Sequence, residues 1–175
     1  MSDFYDFLKP GVCGHLIGIG GVSMSPLAEV LCDDGLIITG SDIFESERTS
    51  ALRERGIDIH IGHDASNVPE NAAFVVRTAA AHDDNPEVTE ARRRGIPVFE
   101  RTQAWGAIMR DYKNALCIAG THGKTTTTSL IYHIFKEAGY DVGLAGNIGN
   151  SLALQVAETP HEYYIIELSS FQLDN

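Results

Sequence analysis

The sequence is short of basic residues. Its 13 Lys and Arg stand against 24 Asp and Glu, a formal charge of −11 at pH 7. That imbalance excludes the basic footprint that a nucleic-acid partner or an anionic membrane surface requires. Long apolar runs are missing too. None approaches the roughly 18 residues of a membrane-spanning helix, so no membrane insertion is expected. Residues 1–10 carry Asp3 and Asp6 and no apolar core, so they do not read as a secretion signal. Cysteine is scarce. Cys13, Cys32 and Cys117 are odd in number and lack C-x-x-C spacing, which points to a reduced, cytoplasmic setting. Repeats, low-complexity tracts and Ser/Gly linkers are absent as well.

What remains is an ordinary globular composition, 43% hydrophobic and 21% charged over 175 residues. That length suits one domain and part of another. Short apolar runs alternate with amphipathic segments. Strands are expected at 15–19, 36–39, 58–61, 74–76, 97–99, 114–119, 142–144 and 163–167. Helices are expected at 26–34, 48–55, 86–94, 103–110 and 124–138. Ser25 reads as the cap of the first helix, with Pro26 at its first position. Gly56, Gly95 and Gly139 close three of the others. Such alternation predicts an α/β fold with parallel sheets and right-handed crossovers. The polar stretch 111–114 separates a Rossmann-like domain over 1–112 from a second α/β domain over 113–175. Only about three strands of the second domain precede Asn175, fewer than the usual four to six, so this domain is expected to be truncated.

Two glycine loops carry the chemistry. Gly18-Ile19-Gly20-Gly21-Val22-Ser23 follows the first strand and opens the first helix, close to G-x-G-x-x-G with Ser23 in the last glycine's place. Glycines there let the backbone approach a pyrophosphate, and the helix start supplies N–H groups. Asp42 closes the second strand 24 residues after Gly18, where a carboxylate can accept from ribose hydroxyls. A plain tight turn would use similar glycines. The physics points to a nucleoside diphosphate and leaves NAD and a UDP-sugar both open.

The second loop, Gly120-Thr121-His122-Gly123-Lys124-Thr125, has a P-loop ending. Ile118 stands where the full pattern has its first glycine, so the loop is a short variant. Lys124 would reach the β/γ-phosphates, Thr125 would ligate Mg²⁺, and backbone N–H groups would cradle phosphate. Glu167 ends the strand Tyr163-Tyr164-Ile165-Ile166, where a carboxylate faces the ligand crevice and can hold Mg²⁺. His122 and Asn147 alone read as loop and turn residues.

These residues together resemble the Mur ligases of peptidoglycan synthesis, over essentially the whole chain. Over 12–130, the first loop with Met24, Gly40-Ser41-Asp42, Gly62-His63, Asn85-Pro86-Glu87 and Gly120 to Thr127 are similar to the family's alanine-adding branch. Over 131–175, Gly146-Asn147-Ile148-Gly149 and Glu167-Leu168-Ser169-Ser170-Phe171-Gln172-Leu173-Asp174 are similar to its D-glutamate-adding branch. Arg77-Thr78 departs from the serine pair usual there.

The resemblance implies an ATP-dependent ligase that adds L-alanine or D-glutamate to a UDP-N-acetylmuramoyl substrate. ATP phosphorylates the substrate carboxylate, the amino acid attacks the acyl phosphate, and a tetrahedral intermediate collapses to an amide, ADP and phosphate. By motif position, Gly18, Gly20, Gly21, Val22, Ser23, Ser41 and Asp42 would hold UDP. Gly120, Thr121, His122, Gly123, Lys124, Thr125 and Thr126 would hold ATP, and Thr125 and Glu167 would hold Mg²⁺. Lys124 and Glu167 would be the catalytic pair, and Asn147, Ser169 and Gln172 would line the muramoyl end. Two other classes are weighed beside it. One is a UDP-sugar-binding fragment or engineered hybrid scaffold without ligase activity. The other is a dinucleotide oxidoreductase built on the first loop, against which the second loop speaks.

Overall fold

A computed structural model of the chain describes residues 3–111, 114–146 and 161–168. It divides into two compact units, Met1–Ala107 and Ile108–Asn175.

The first unit is a five-stranded sheet in the order β3-β2-β1-β4-β5. Its strands are β1 (Cys13–Ile17), β2 (Ile37–Asp42), β3 (Asp58–Ile61), β4 (Phe74–Arg77) and β5 (Val98–Glu100). Every neighbouring pair is parallel. The helices are α1 (Ser25–Asp33), α2 (Glu47–Glu54), α3 (Pro86–Arg93) and α4 (Arg101–Ile108). The chain winds outward from β1 to β3, then returns to the other side of β1 through β4. The strand order thus reverses between β1 and β4, which opens a crevice at their C-terminal ends.

Burial on both faces explains the unbroken apolar run of β1, all five residues of which are buried. Gly14 is required there because a Cβ would lie 2.1 Å from Phe74 Cζ. Phe74 in turn belongs to an edge-to-face cluster. Phe4 meets Phe74 and Phe99 at centroid distances of 5.0 and 5.2 Å, and Phe7 meets both at 5.7 Å. Phe4 and Phe7 come from an N-terminal 3-10 turn, Phe4–Phe7, that the sequence pattern does not announce. Opposite, α3 packs Val88 and Ala91 with Ile17 and Val75.

The second unit holds β6 (Ala115–Ile118), α5 (Lys124–Glu137), β7 (Val142–Gly146) and β8 (Tyr163–Glu167). Its strands pair in parallel in the order β6-β8-β7. Tyr164, Ile165 and Ile166 of the central strand are buried, and Phe135 of α5 packs on Tyr140 and Tyr163. Among the described residues no helix is long and apolar enough to cross a membrane.

The expected elements all occur in the expected order, and the differences are local. β1 runs from Cys13 to Ile17 rather than over 15–19, because Gly18 turns left-handed at φ +80°. β2 extends through Asp42. Ser25 does not cap α1. The cap position falls on Met24 without a side-chain bond, and Ser25 is buried in the first turn.

Candidate functional site

The first glycine loop folds back on the end of β2. The Gly18 and Ile19 amides both donate to the Ser41 carbonyl, at 2.8 and 2.9 Å. The Gly20 amide donates to Asp42 Oδ2 at 2.8 Å, and Gly21 to the Gly18 carbonyl at 3.1 Å. A Cβ on Gly20 would lie 2.9 Å from Thr49 Cγ2 and 3.0 Å from that same Asp42 oxygen, so the close tie demands glycine. The amides of Val22 and Ser23 find no hydrogen-bond partner among the described residues. With α1 uncapped behind them, they are donors available to an anion.

A pocket of about 480 Å³ opens beside this loop, over the strand ends. Gly18 and Gly21 form one wall. Asp42 and Ile43 follow from β2, His63 from the turn after β3, and Thr78, His82 and Asn85 from the segment between β4 and α3. Asp42 therefore lines the pocket while bracing the loop. Ser41, one residue earlier, is fully buried, and its hydroxyl donates to Glu87 Oε2 at 2.6 Å.

Glu87 is the residue that sequence reasoning passed over. It sits in the first turn of α3, whose start is capped by Asn85 Oδ1 accepting from the Glu87 and Val88 amides. Its side chain is completely buried. Oε2 accepts from Ser41 and from His15 Nε2 at 3.1 Å. Oε1 accepts from Asn67 Nδ2 at 2.8 Å, His63 Nδ1 at 3.1 Å and the Asp64 amide at 3.3 Å. Burial pushes the carboxyl pKa up, but the hydrogen bonds from His15, Ser41 and Asn67 outweigh it and hold it at about 2. Glu87 is thus an ionised carboxylate under the pocket floor. The available signals were Asn85-Pro86-Glu87 at a helix start and a histidine, His15, inside an apolar strand.

The second loop joins β6 to α5. Gly120 and Gly123 adopt φ of +149° and +74°, and α5 begins at Lys124 with no side-chain cap. Lys124 Nζ donates to the Gly120 carbonyl at 2.8 Å, so the ammonium is folded over the loop. Thr121, His122, Thr125 and Thr126 are exposed around it. Glu167 ends β8 in register with Ile118 of β6, and the Leu168 amide donates to the Ile118 carbonyl at 2.9 Å. Glu167 therefore stands next to the root of the loop. It is 4% exposed, and Oε2 is buried without a partner among the described residues. An unpaired buried carboxylate oxygen is costly and calls for a cation or donor. Among the described residues no group of three or more His, Cys, Asp or Glu side chains converges as a metal site. Asn147, Ser169 and Gln172 lie outside the described residues.

Comparison with known proteins identifies the family. Residues 14–113 match the Mur ligase family, catalytic domain, and residues 118–175 match the Mur ligase middle domain. The chain belongs to the Mur ligase family. It is 50% identical over 123 residues to the UDP-N-acetylmuramate–L-alanine ligase of Caldicellulosiruptor saccharolyticus, covering 70% of this chain and 27% of that protein. It is 42% identical over 167 residues to the same ligase of Agathobacter rectalis, covering 95% of this chain and 36% of that protein. That second alignment runs well into the region likened above to the D-glutamate-adding branch. The crystal structure of the UDP-N-acetylmuramate-alanine ligase of Thermotoga maritima superposes with a TM-score of 0.65 at 31% identity, over 89% of this chain and 36% of that one. The chain spans about a third of the length of the curated relatives it matches.

Proposed function

We propose that the chain is the sugar-nucleotide-binding and phosphate-loop portion of an ATP-dependent, cytoplasmic ligase that adds L-alanine to UDP-N-acetylmuramate. D-glutamate is the second amino acid to test. Residues 1–112 would bind the UDP-sugar, and residues 113–175 would begin a P-loop ATPase domain. The observation that carries the ligase reading is Glu167, in register with the root of the second loop, whose buried carboxylate oxygen has no partner among the described residues. An oxidoreductase built on the first loop has no use for that group beside Lys124.

The residues present fit Mg²⁺, a hard cation that takes one or two carboxylates, hydroxyls and phosphate oxygens. Glu167 and the Thr125 hydroxyl would hold it, and when bound it would neutralise phosphate charge during transfer of the phosphoryl group to the substrate carboxylate. The chain's own residues do the rest. Lys124 leaves the Gly120 carbonyl for the β/γ-phosphates, and the amides of Gly120 to Thr126 cradle them. In the first unit, the Val22 and Ser23 amides receive the diphosphate, with Gly20 and Gly21 permitting its approach. Asp42 and Ser41 hold the loop and the floor.

Calorimetry on the chain tests this reading with UDP-N-acetylmuramate, NAD and ATP with Mg²⁺. UDP-N-acetylmuramate should bind. Gly21→Val should weaken it by more than about tenfold with the fold intact, because a branched side chain fills the phosphate approach. ATP binding should require Lys124. NAD binding in place of the sugar nucleotide overturns the proposal. In a full-length ligase carrying these residues, L-alanine should drive phosphate release and Lys124→Ala should abolish it.

A further inference from the structure

His63 lines the pocket, yet nothing above gives it a task there. Its ring is one-fifth exposed. Nδ1 faces Glu87 Oε1 at 3.1 Å and Ser41 Oγ at 3.2 Å. The Ser41 proton is already committed to Glu87 Oε2. Glu87 is surrounded by donors and can only accept, so Nδ1 must carry the hydrogen. In the neutral ring, Nε2 is then an acceptor. It has no hydrogen-bond partner among the described residues.

We propose that His63 reads the nucleoside end of the bound nucleotide, its Nε2 accepting from a pyrimidine N3–H or a ribose hydroxyl, with Glu87 as the positioning residue that fixes the ring's tautomer. The proposal rests on the sugar-nucleotide reading and deepens it. Chemistry chooses the ligand group. The lone pair on Nε2 repels phosphate oxygens, which the bare amides of Val22 and Ser23 suit instead. Asp42 presents a second acceptor to the same pocket. Two acceptors, His63 and Asp42, on one side of the pocket select donors, and on a uridine nucleotide these are N3–H and the ribose hydroxyls. Glu87 does not reach the ligand. It is buried beneath the ring and acts by holding Nδ1–H, while Asn67 and the Asp64 amide hold Oε1 in place.

Two measurements on the 175-residue chain at pH 8 decide it. The first is the pair of ring ¹⁵N shifts of His63. The expected result is a hydrogen on Nδ1 and a bare Nε2, with a mixture of tautomers in Glu87→Gln. A wild-type ring protonated on Nε2 overturns the proposal, whatever the variants do. The second is affinity for UDP, N3-methyl-UDP and 2′,3′-dideoxy-UDP. The wild type should reject one analogue by about tenfold, the size of one lost hydrogen bond to a group left unpaired. The analogue rejected names the donor. His63→Phe should erase that discrimination. His63→Gln, whose amide can donate to Glu87 and still offer an oxygen, should restore part of it. Thermal unfolding of both variants separates loss of fold from loss of reading. Equal affinity of the wild type for all three ligands overturns the proposal, as does discrimination that survives in His63→Phe. If UDP itself fails to bind, the sugar-nucleotide reading falls and takes this proposal with it. If UDP binds and only the discrimination is missing, this proposal falls alone.

Discussion

Glu87 accepts hydrogen bonds from β1, from β2 and from the segment after β3, while standing on α3. Its pKa falls from the ordinary 4.5 to about 2 in the folded chain. A depressed folded pKa means stability that is fully present above the unfolded value and is lost as pH falls through the folded one. The drop corresponds to about 3 kcal/mol at 1.36 kcal/mol per unit, lost between pH 4.5 and 2. Urea unfolding at stepped pH should show that loss in the wild type, and Glu87→Gln should be destabilised at pH 7 and lose less on acidification. At this scale the sequence was only partly legible. Gly20 and Asp42 could be placed at one crevice in advance because a glycine loop and a strand-end carboxylate have fixed places in such folds, but the direct hydrogen bond between them, in place of the expected ribose contact, could not. Glu87 could not be, since its partners His15, Ser41, His63 and Asn67 are scattered over 53 positions and meet only once the sheet forms.

The helices sort by how they begin. α2 opens on a capping box, in which Ser46 Oγ accepts from the Thr49 amide and Thr49 Oγ1 accepts from the Ser46 amide. α3 opens on Asn85. The two helices that follow glycine loops, α1 and α5, have no side-chain cap. Capped starts spend their free amides on structure, and uncapped ones leave them for a ligand. Ser46→Ala should therefore cost about 1 kcal/mol in urea unfolding and leave nucleotide affinity unchanged. This division explains the misplaced cap on α1. A serine before a proline is a standard start signal, but here the turn of the glycine loop carries the chain past it and buries Ser25. Strand ends drifted for a related reason. Propensity marks where a strand is apolar, whereas β2 and β7 run on through Ser41-Asp42 and Ala145-Gly146 because their neighbours keep pairing.

On the scale of the whole chain, alternation of apolar runs and amphipathic helices was enough to read two parallel sheets, since right-handed crossovers leave few other topologies. The first unit has a five-stranded sheet, its own core and the whole pocket. Residues 1–110 alone should fold and bind UDP with the affinity of the full chain, as circular dichroism and calorimetry would report. The second unit exposes Leu116, Leu130, Ile134 and Tyr140. Residues 108–175 alone should self-associate in sedimentation measurements, because that much apolar surface seeks cover.

The aromatic cluster at the other edge of the first sheet has a consequence for handling the protein. Phe4 is 2% exposed and wedged against Phe74 and Phe99, so the turn Phe4–Phe7 is a structural member of the sheet's core. Phe4→Ala should lower stability by about 3 kcal/mol, the usual cost of emptying a buried phenylalanine site, without touching UDP affinity at the opposite strand ends. Loss of residues 3–7 would therefore pull the keystone from β4 and β5.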